Sequence, residues 1–268
     1  MTRIGLVGYG GIARDLLGAL HDEIIANRIE IAGILAHRAP DERGGQPPHA
    51  PRFVDGLDAL LTAKPNVVVE VAGQAAVVEH GEAILASGTD LLVISTGALA
   101  RAALFERLAA TARRAGSRLL LPAGAIGGID ALAAMRLAGL HSVSYRAVKP
   151  PAAWRGSPAE RLADLDHLGR RTVLYAGSAR DAALDFPQNA NAVATVALSG
   201  VGFEATRVEL IADPAAAGNR HEIEAEGATG RIAIAFQGKA STTNPKTSAL
   251  TAFSIARALM NEAATIVI

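Results

Sequence analysis

Cysteine is missing from all 268 residues, which excludes disulfides, thiolate metal sites and a cysteine nucleophile. Net charge is missing as well. The 26 basic side chains balance 26 acidic ones, so no overall field draws the chain to nucleic acid. Although 50% of the residues are apolar, no uninterrupted apolar run approaches the roughly 18 residues that a membrane span needs. The seven histidines show no His-x-x-x-His or similar ligand spacing, so no metal is expected. A strand pattern begins almost at the first residue, which leaves no stretch for a secretory signal and makes a cytoplasmic protein the expectation. Internal repeats and low-complexity tails are absent too. What remains is a globular composition with 19% charged residues, at a length that suits one large core or two modest domains.

The most informative stretch present is Arg3-Ile4-Gly5-Leu6-Val7-Gly8-Tyr9-Gly10-Gly11-Ile12-Ala13. An apolar strand breaks there into Gly-x-Gly-x-x-Ala and then into a helix, with Ile12, Leu16, Leu17 and Leu20 at helical spacing. Glycines permit a tight turn and a close backbone approach to a pyrophosphate, and the helix N-terminus offers free N–H groups to its charge. Gly8, Gly10, Gly11 and Ile12 are therefore candidate cofactor contacts. Strand and helix patterns alternate onward: strands at 29–36, 67–71, 91–95 and 118–121, helices at 76–87 and 104–115, and a Pro/Gly-rich loop at 39–51. This is the pattern of a doubly wound parallel sheet of the Rossmann type, whose ligands bind outside the carboxyl ends of the strands. After about residue 122 the pattern becomes period-two strands at 143–149, 171–176, 206–212, 221–226 and 231–237, several read as hairpins, with helices at 129–137, 159–162 and 189–198. The expected organisation is an α/β protein with a dinucleotide-binding domain at 1–122 and an α+β catalytic and dimerisation domain at 123–244. A last helix, within 245–268, returns to the first domain.

At the end of the second strand, where NAD-selective domains usually carry an acidic residue for the ribose hydroxyls, the chain reads Ala36-His37-Arg38. Arg38 suits a 2′-phosphate and adenine stacking, which favours NADP or dual use; a solvated loop arginine is the other reading. Strand alternation puts His221, Ile223 and Ala225 on one face and Glu222, Glu224 and Glu226 on the other, so His221 points inward. An inward imidazole can move a proton or hydrogen-bond a substrate, and a histidine satisfied by a backbone carbonyl gives the same pattern. Glycine-bearing strand ends at 95–98 and 122–128 would let a nicotinamide lie close to the backbone, or are simply tight turns. In Pro187-Gln188-Asn189-Ala190-Asn191, one asparagine is expected to cap a helix and the other to bind. The polar run 241–248 opens the last helix and could meet a carboxylate.

Taken together, six segments resemble the L-aspartate dehydrogenase family: Gly8 to Ala13, Ser95 to Leu99, Pro122 to Asp130, Phe186 to Asn191, Asn219-Arg220-His221, and Asn244 to Ser248. They follow the family's order over nearly the full length. The resemblance implies NAD(P)-dependent oxidation of L-aspartate to iminoaspartate, which hydrolyses to oxaloacetate and ammonia or feeds quinolinate and NAD biosynthesis, with reductive amination in reverse. It also implies a homodimer and a hand-off to quinolinate synthase. By the same resemblance His221 corresponds to the active-site histidine, and Ala125 and Asn191 to cofactor contacts. Lys149, Arg231, Lys246 and Thr247 are candidates for gripping the substrate carboxylates, because cationic clamps suit a dianion. The competing readings are a dihydrodipicolinate-reductase-like or homoserine-dehydrogenase-like enzyme, against which the Asn219-Arg220-His221 block argues, and a nucleotide sensor without turnover.

Overall fold

A computed structural model describes residues 1–36, 52–243, 247–262 and 264–267. The chain divides into two compact units, Met1–Gly124 with Ser241–Ile268, and Ala125–Ala240. In the first unit, the strands β1 (Thr2–Val7), β2 (Ile29–Leu35), β3 (Phe53–Val54), β4 (Val67–Glu70), β5 (Asp90–Val93) and β6 (Leu119–Leu120) form one sheet in the order β3-β2-β1-β4-β5-β6. All its pairings are parallel. Every residue of β4 is buried, as a central strand covered on both faces requires. The chain leaves β1 toward β2 and later returns to its other side as β4. The carboxyl ends of β1 and β4 thus flank the switch point where such sheets bind ligands.

Helices α1 (Gly11–Ala19), α2 (His21–Ile25), α3 (Leu57–Thr62), α4 (Gln74–Ala86) and α5 (Ala102–Ala115) belong to this unit, as does α9 (Leu250–Asn261). One core cluster joins Ile4 and Leu6 of β1, Leu16 and Leu17 of α1, Val67 and Val69 of β4, and Ala252, Ile255, Ala256 and Leu259 of α9. The last helix therefore completes the layer that α1 begins.

The second unit is built on a five-stranded mixed sheet of β7 (Leu140–Lys149), β8 (Thr172–Ser178), β9 (Arg207–Ala212), β10 (Arg220–Gly227) and β11 (Gly230–Gln237), in the order β11-β10-β7-β9-β8. Helices α6 (Ile129–Ala138), α7 (Ala179–Asp185) and α8 (Ala190–Ser199) accompany it. Only β10 and β11 form a hairpin among the described strands; β7 pairs with β9 in parallel, which corrects the expectation of several hairpins. The helix expected at 159–162 is a single 3-10 turn, Pro158–Arg161. One face of the sheet buries Val143, Tyr145, Ala147, His221, Ile223 and Ala225. A Cβ on Gly200, the residue closing α8, would press on Val143 at 3.1 Å, so the helical layer covers this face. The other face carries Arg146, bonded to Glu209 and Glu224 at 3.0 and 2.8 Å.

Candidate active site

The glycine turn after β1 has the shape a dinucleotide needs. Gly8 sits at φ +104°, and a Cβ there would lie 2.9 Å from the backbone of Ala72, so no other residue fits without displacing the loop after β4. Gly10 is the N-cap of α1 and contributes no side-chain cap, and the first turn holds no acidic residue. The leading amides of α1 at Gly11 and Ile12 therefore have no intrahelical acceptor, and no carboxylate of the helix's own first turn competes for them. A Cβ on Gly10 would meet nothing within 4 Å. Among the described residues, the space where a Gly10 side chain would stand is open beside these backbone donors, which fits a pyrophosphate.

Glu70, which sequence reasoning passed over, holds this region together. It is 2% exposed, and its Oε1 accepts from the backbone N–H groups of Ala72 and Gly73 at 2.8 and 2.7 Å and from Ser95 Oγ at 2.9 Å. Its Oε2 accepts from the Ser95 N–H at 3.0 Å. Burial pushes the carboxyl up, and these donors oppose that shift. One side chain thereby fixes the carboxyl ends of both β4 and β5. The signal was an acidic residue closing the apolar run Val67-Val68-Val69.

In the second unit, antiparallel pairing sets His221 opposite Ala147 and Ile223 opposite Tyr145. Tyr145, Ala147 and Lys149 alternate on one strand, so Tyr145 and Lys149 lie diagonally to either side of His221 on the same face. The Tyr145 hydroxyl is 2.7 Å from His221 Nδ1, with the two rings at 18° and 6.0 Å between centroids. His221 is 7% exposed. Burial, and then the charge of Lys149, hold its imidazole down at about 4, so it is neutral near pH 7. Lys149 Nζ lies 5.1 Å from the centroid of the Trp154 ring, a cation–π contact. Burial lowers its ammonium to about 8. Trp154 is anchored by its own N–H to the Ile211 carbonyl at 3.2 Å and by an edge contact with Phe186 at 6.4 Å.

His221 is thus satisfied at Nδ1 by a tyrosine and not by the backbone carbonyl that the sequence left open. Lys149 joins it. Arg231 does not: it lies on the opposite face of the sheet and pairs with Glu224 at 3.0 Å. Asn191 is exposed in the first turn of α8, and Asn189 occupies the N-cap without a side-chain cap bond, so the expected capping asparagine does not cap. Ala125 is partly buried at the start of the second unit. Residues 96–100 form a fully buried 3-10 turn. Thr247 accepts the Ser241 N–H through its carbonyl at 2.8 Å, while Ser241 and Thr243 hydroxyls donate to Asp15 of α1 at 2.6 and 2.9 Å. Arg38 and Lys246 fall outside the described residues.

Comparison with known proteins agrees with both halves. Residues 8–122 match the family described as homoserine dehydrogenase, NAD binding domain, and residues 130–262 match aspartate dehydrogenase, C-terminal. An L-aspartate dehydrogenase of Ralstonia nicotianae is 46% identical over 265 residues, 98% of each chain. One from Cupriavidus taiwanensis is 44% identical over 263 residues, again 98% of each. The crystal structure of aspartate dehydrogenase from Thermotoga maritima superposes with a TM-score of 0.79 at 27% identity, covering 100% of this chain and 99% of that one. With identity at this level across the full length, the chain belongs to the L-aspartate dehydrogenase family.

Proposed function

We propose that the protein oxidises L-aspartate to iminoaspartate with NAD or NADP, the imine then hydrolysing to oxaloacetate and ammonia. The observation that carries this reading is the group of buried Tyr145 and His221 with the partly buried Lys149 in a chain whose full-length relatives are L-aspartate dehydrogenases. The bound nicotinamide supplies the hydride acceptor. Gly8, Gly10, Gly11 and Ile12 receive the pyrophosphate, Ala125 and Asn191 contact the cofactor, and Arg38 meets a 2′-phosphate where NADP binds. Lys149, still mostly protonated at pH 7, grips one substrate carboxylate, and Lys246 and Thr247 contribute to holding the other. Arg231 is left out, because Glu224 already neutralises it on the far face. His221, neutral at working pH, orients the substrate and the water that attacks the imine. The amine must shed a proton before Cα–H can give up its hydride, and that proton leaves to solvent. Reductive amination is the same reaction reversed. A homodimer and delivery of iminoaspartate to quinolinate synthase belong to the same reading.

The test is NAD(P)H absorbance with L-aspartate, using each cofactor separately, on wild type and on a His221→Ala variant shown to be folded. Turnover in the wild type and a loss of about 10²-fold in the variant, the cost of a misplaced substrate and water, are expected. A wild type that binds cofactor but oxidises no aspartate would overturn the assignment.

A further inference from the structure

We propose that Tyr145 is a positioning residue for His221: its hydroxyl donates into Nδ1 and holds the imidazole in the Nε2–H form, so that His221 meets the substrate as a hydrogen-bond donor aimed at a carboxylate oxygen. The inference rests on the reading of His221 as a substrate contact and adds the direction of its hydrogen bond. A neutral imidazole carries one N–H, and the hydrogen bond made by one nitrogen decides where it sits. At 2.7 Å either atom could be the donor. The surroundings decide between them. Tyr145 is 1% exposed, and among the described residues its hydroxyl has no partner other than Nδ1. If Nδ1–H donated to the tyrosine oxygen, the hydroxyl proton would be buried with no acceptor. That arrangement is disfavoured on the order of tenfold to a hundredfold.

With Nδ1 engaged, the working atom is Nε2, which has no protein partner among the described residues and is not sealed from solvent. An Nε2–H complements a carboxylate oxygen and mismatches an ammonium. The pair sits on neighbouring strands with its rings nearly parallel, so packing holds the imidazole plane as well as its tautomer.

The test is ¹⁵N-detected histidine NMR at pH 7 on the cofactor-free full chain, with the His221 resonances identified by their disappearance in His221→Gln. In the wild type, Nε2 is expected to show the protonated shift and Nδ1 the hydrogen-bonded acceptor shift. Tyr145→Phe keeps the ring and should give a tautomer mixture, with a fall in kcat/KM for L-aspartate of about tenfold and an unchanged Kd for NADH. A wild-type spectrum showing Nδ1–H, or a Tyr145→Phe spectrum identical to wild type, would overturn the inference. Because the spectra need no turnover, they are independent of whether L-aspartate proves to be the substrate.

Discussion

Lys149 keeps its charge at pH 7 although it is partly buried, and that charge is its use. Below about pH 8 the ammonium is protonated and can pair with a carboxylate; above it, burial has taken the proton away. The KM for L-aspartate should therefore rise as pH passes from 7 to 9.5, independently of any gain in kcat from a more readily deprotonated amine. Lys149→Met, which keeps the stem, should have a KM about ten- to a hundredfold higher at pH 7, as loss of a charge-assisted bond implies. Its KM should also be flat over the same pH range. Steady-state kinetics of both proteins from pH 7 to 9.5 decide this, and a variant KM that still climbs with pH would remove Lys149 from the site. The same residue acts on its neighbour. The Lys149 charge helps keep His221 neutral, so the two side chains divide the work, one carrying charge and the other direction.

The β1 turn and the head of α1 form an anion site from backbone alone, and glycine substitution separates its structural role from its binding role. Gly10 has an ordinary φ of −95° and open space where a Cβ would go. Gly10→Ala should lower Tm only slightly, alanine being a poorer N-cap than glycine by about 0.5–1 kcal/mol. It should nevertheless raise the Kd for NADH about tenfold or more, because the methyl occupies the pyrophosphate's approach. NADH fluorescence titration beside a thermal melt measures both, and unchanged affinity would place the cofactor elsewhere. This strand, turn and helix were legible in the sequence because local periodicity and glycine spacing determine them. So was the inward face of β10, where alternation alone separates His221 from three glutamates. Partners across space were not legible. Nothing in the residues of β7 and β9 announces that they pair in parallel, since register follows from packing between segments about 60 residues apart. Tyr145 reads as one more apolar strand residue until its hydroxyl is seen at His221, and Glu70 becomes a clamp only when the loops after β4 and β5 meet it. Helix α7 was missed although its cap is written in the chain: the Ser178 hydroxyl accepts from the Asp181 N–H at 3.1 Å.

The first unit is assembled from both ends of the chain, and α9 supplies part of its core. Ile255 is fully buried in the cluster that contains Leu16 and Ile4. Ile255→Ala should therefore destabilise the first unit by about 2–5 kcal/mol. The single tryptophan lies in the second unit, so its fluorescence follows that unit while far-UV circular dichroism follows both. In urea, the variant's dichroism should begin to fall at lower denaturant than wild type while the Trp154 transition stays in place. Transitions that move together would mean that the two units unfold as one cooperative block.

This interleaving also orders events during synthesis. Domains tend to fold as units while the chain emerges, from the N-terminal end onward. Here the second unit, Ala125–Ala240, has all its residues before α9 is translated, whereas the first unit must keep the apolar flank of α1 open until Leu259 has left the ribosome. The part that begins first is finished last. For that interval the nascent chain exposes Leu16 and Leu17 beside a dinucleotide turn that is already written but not yet packed.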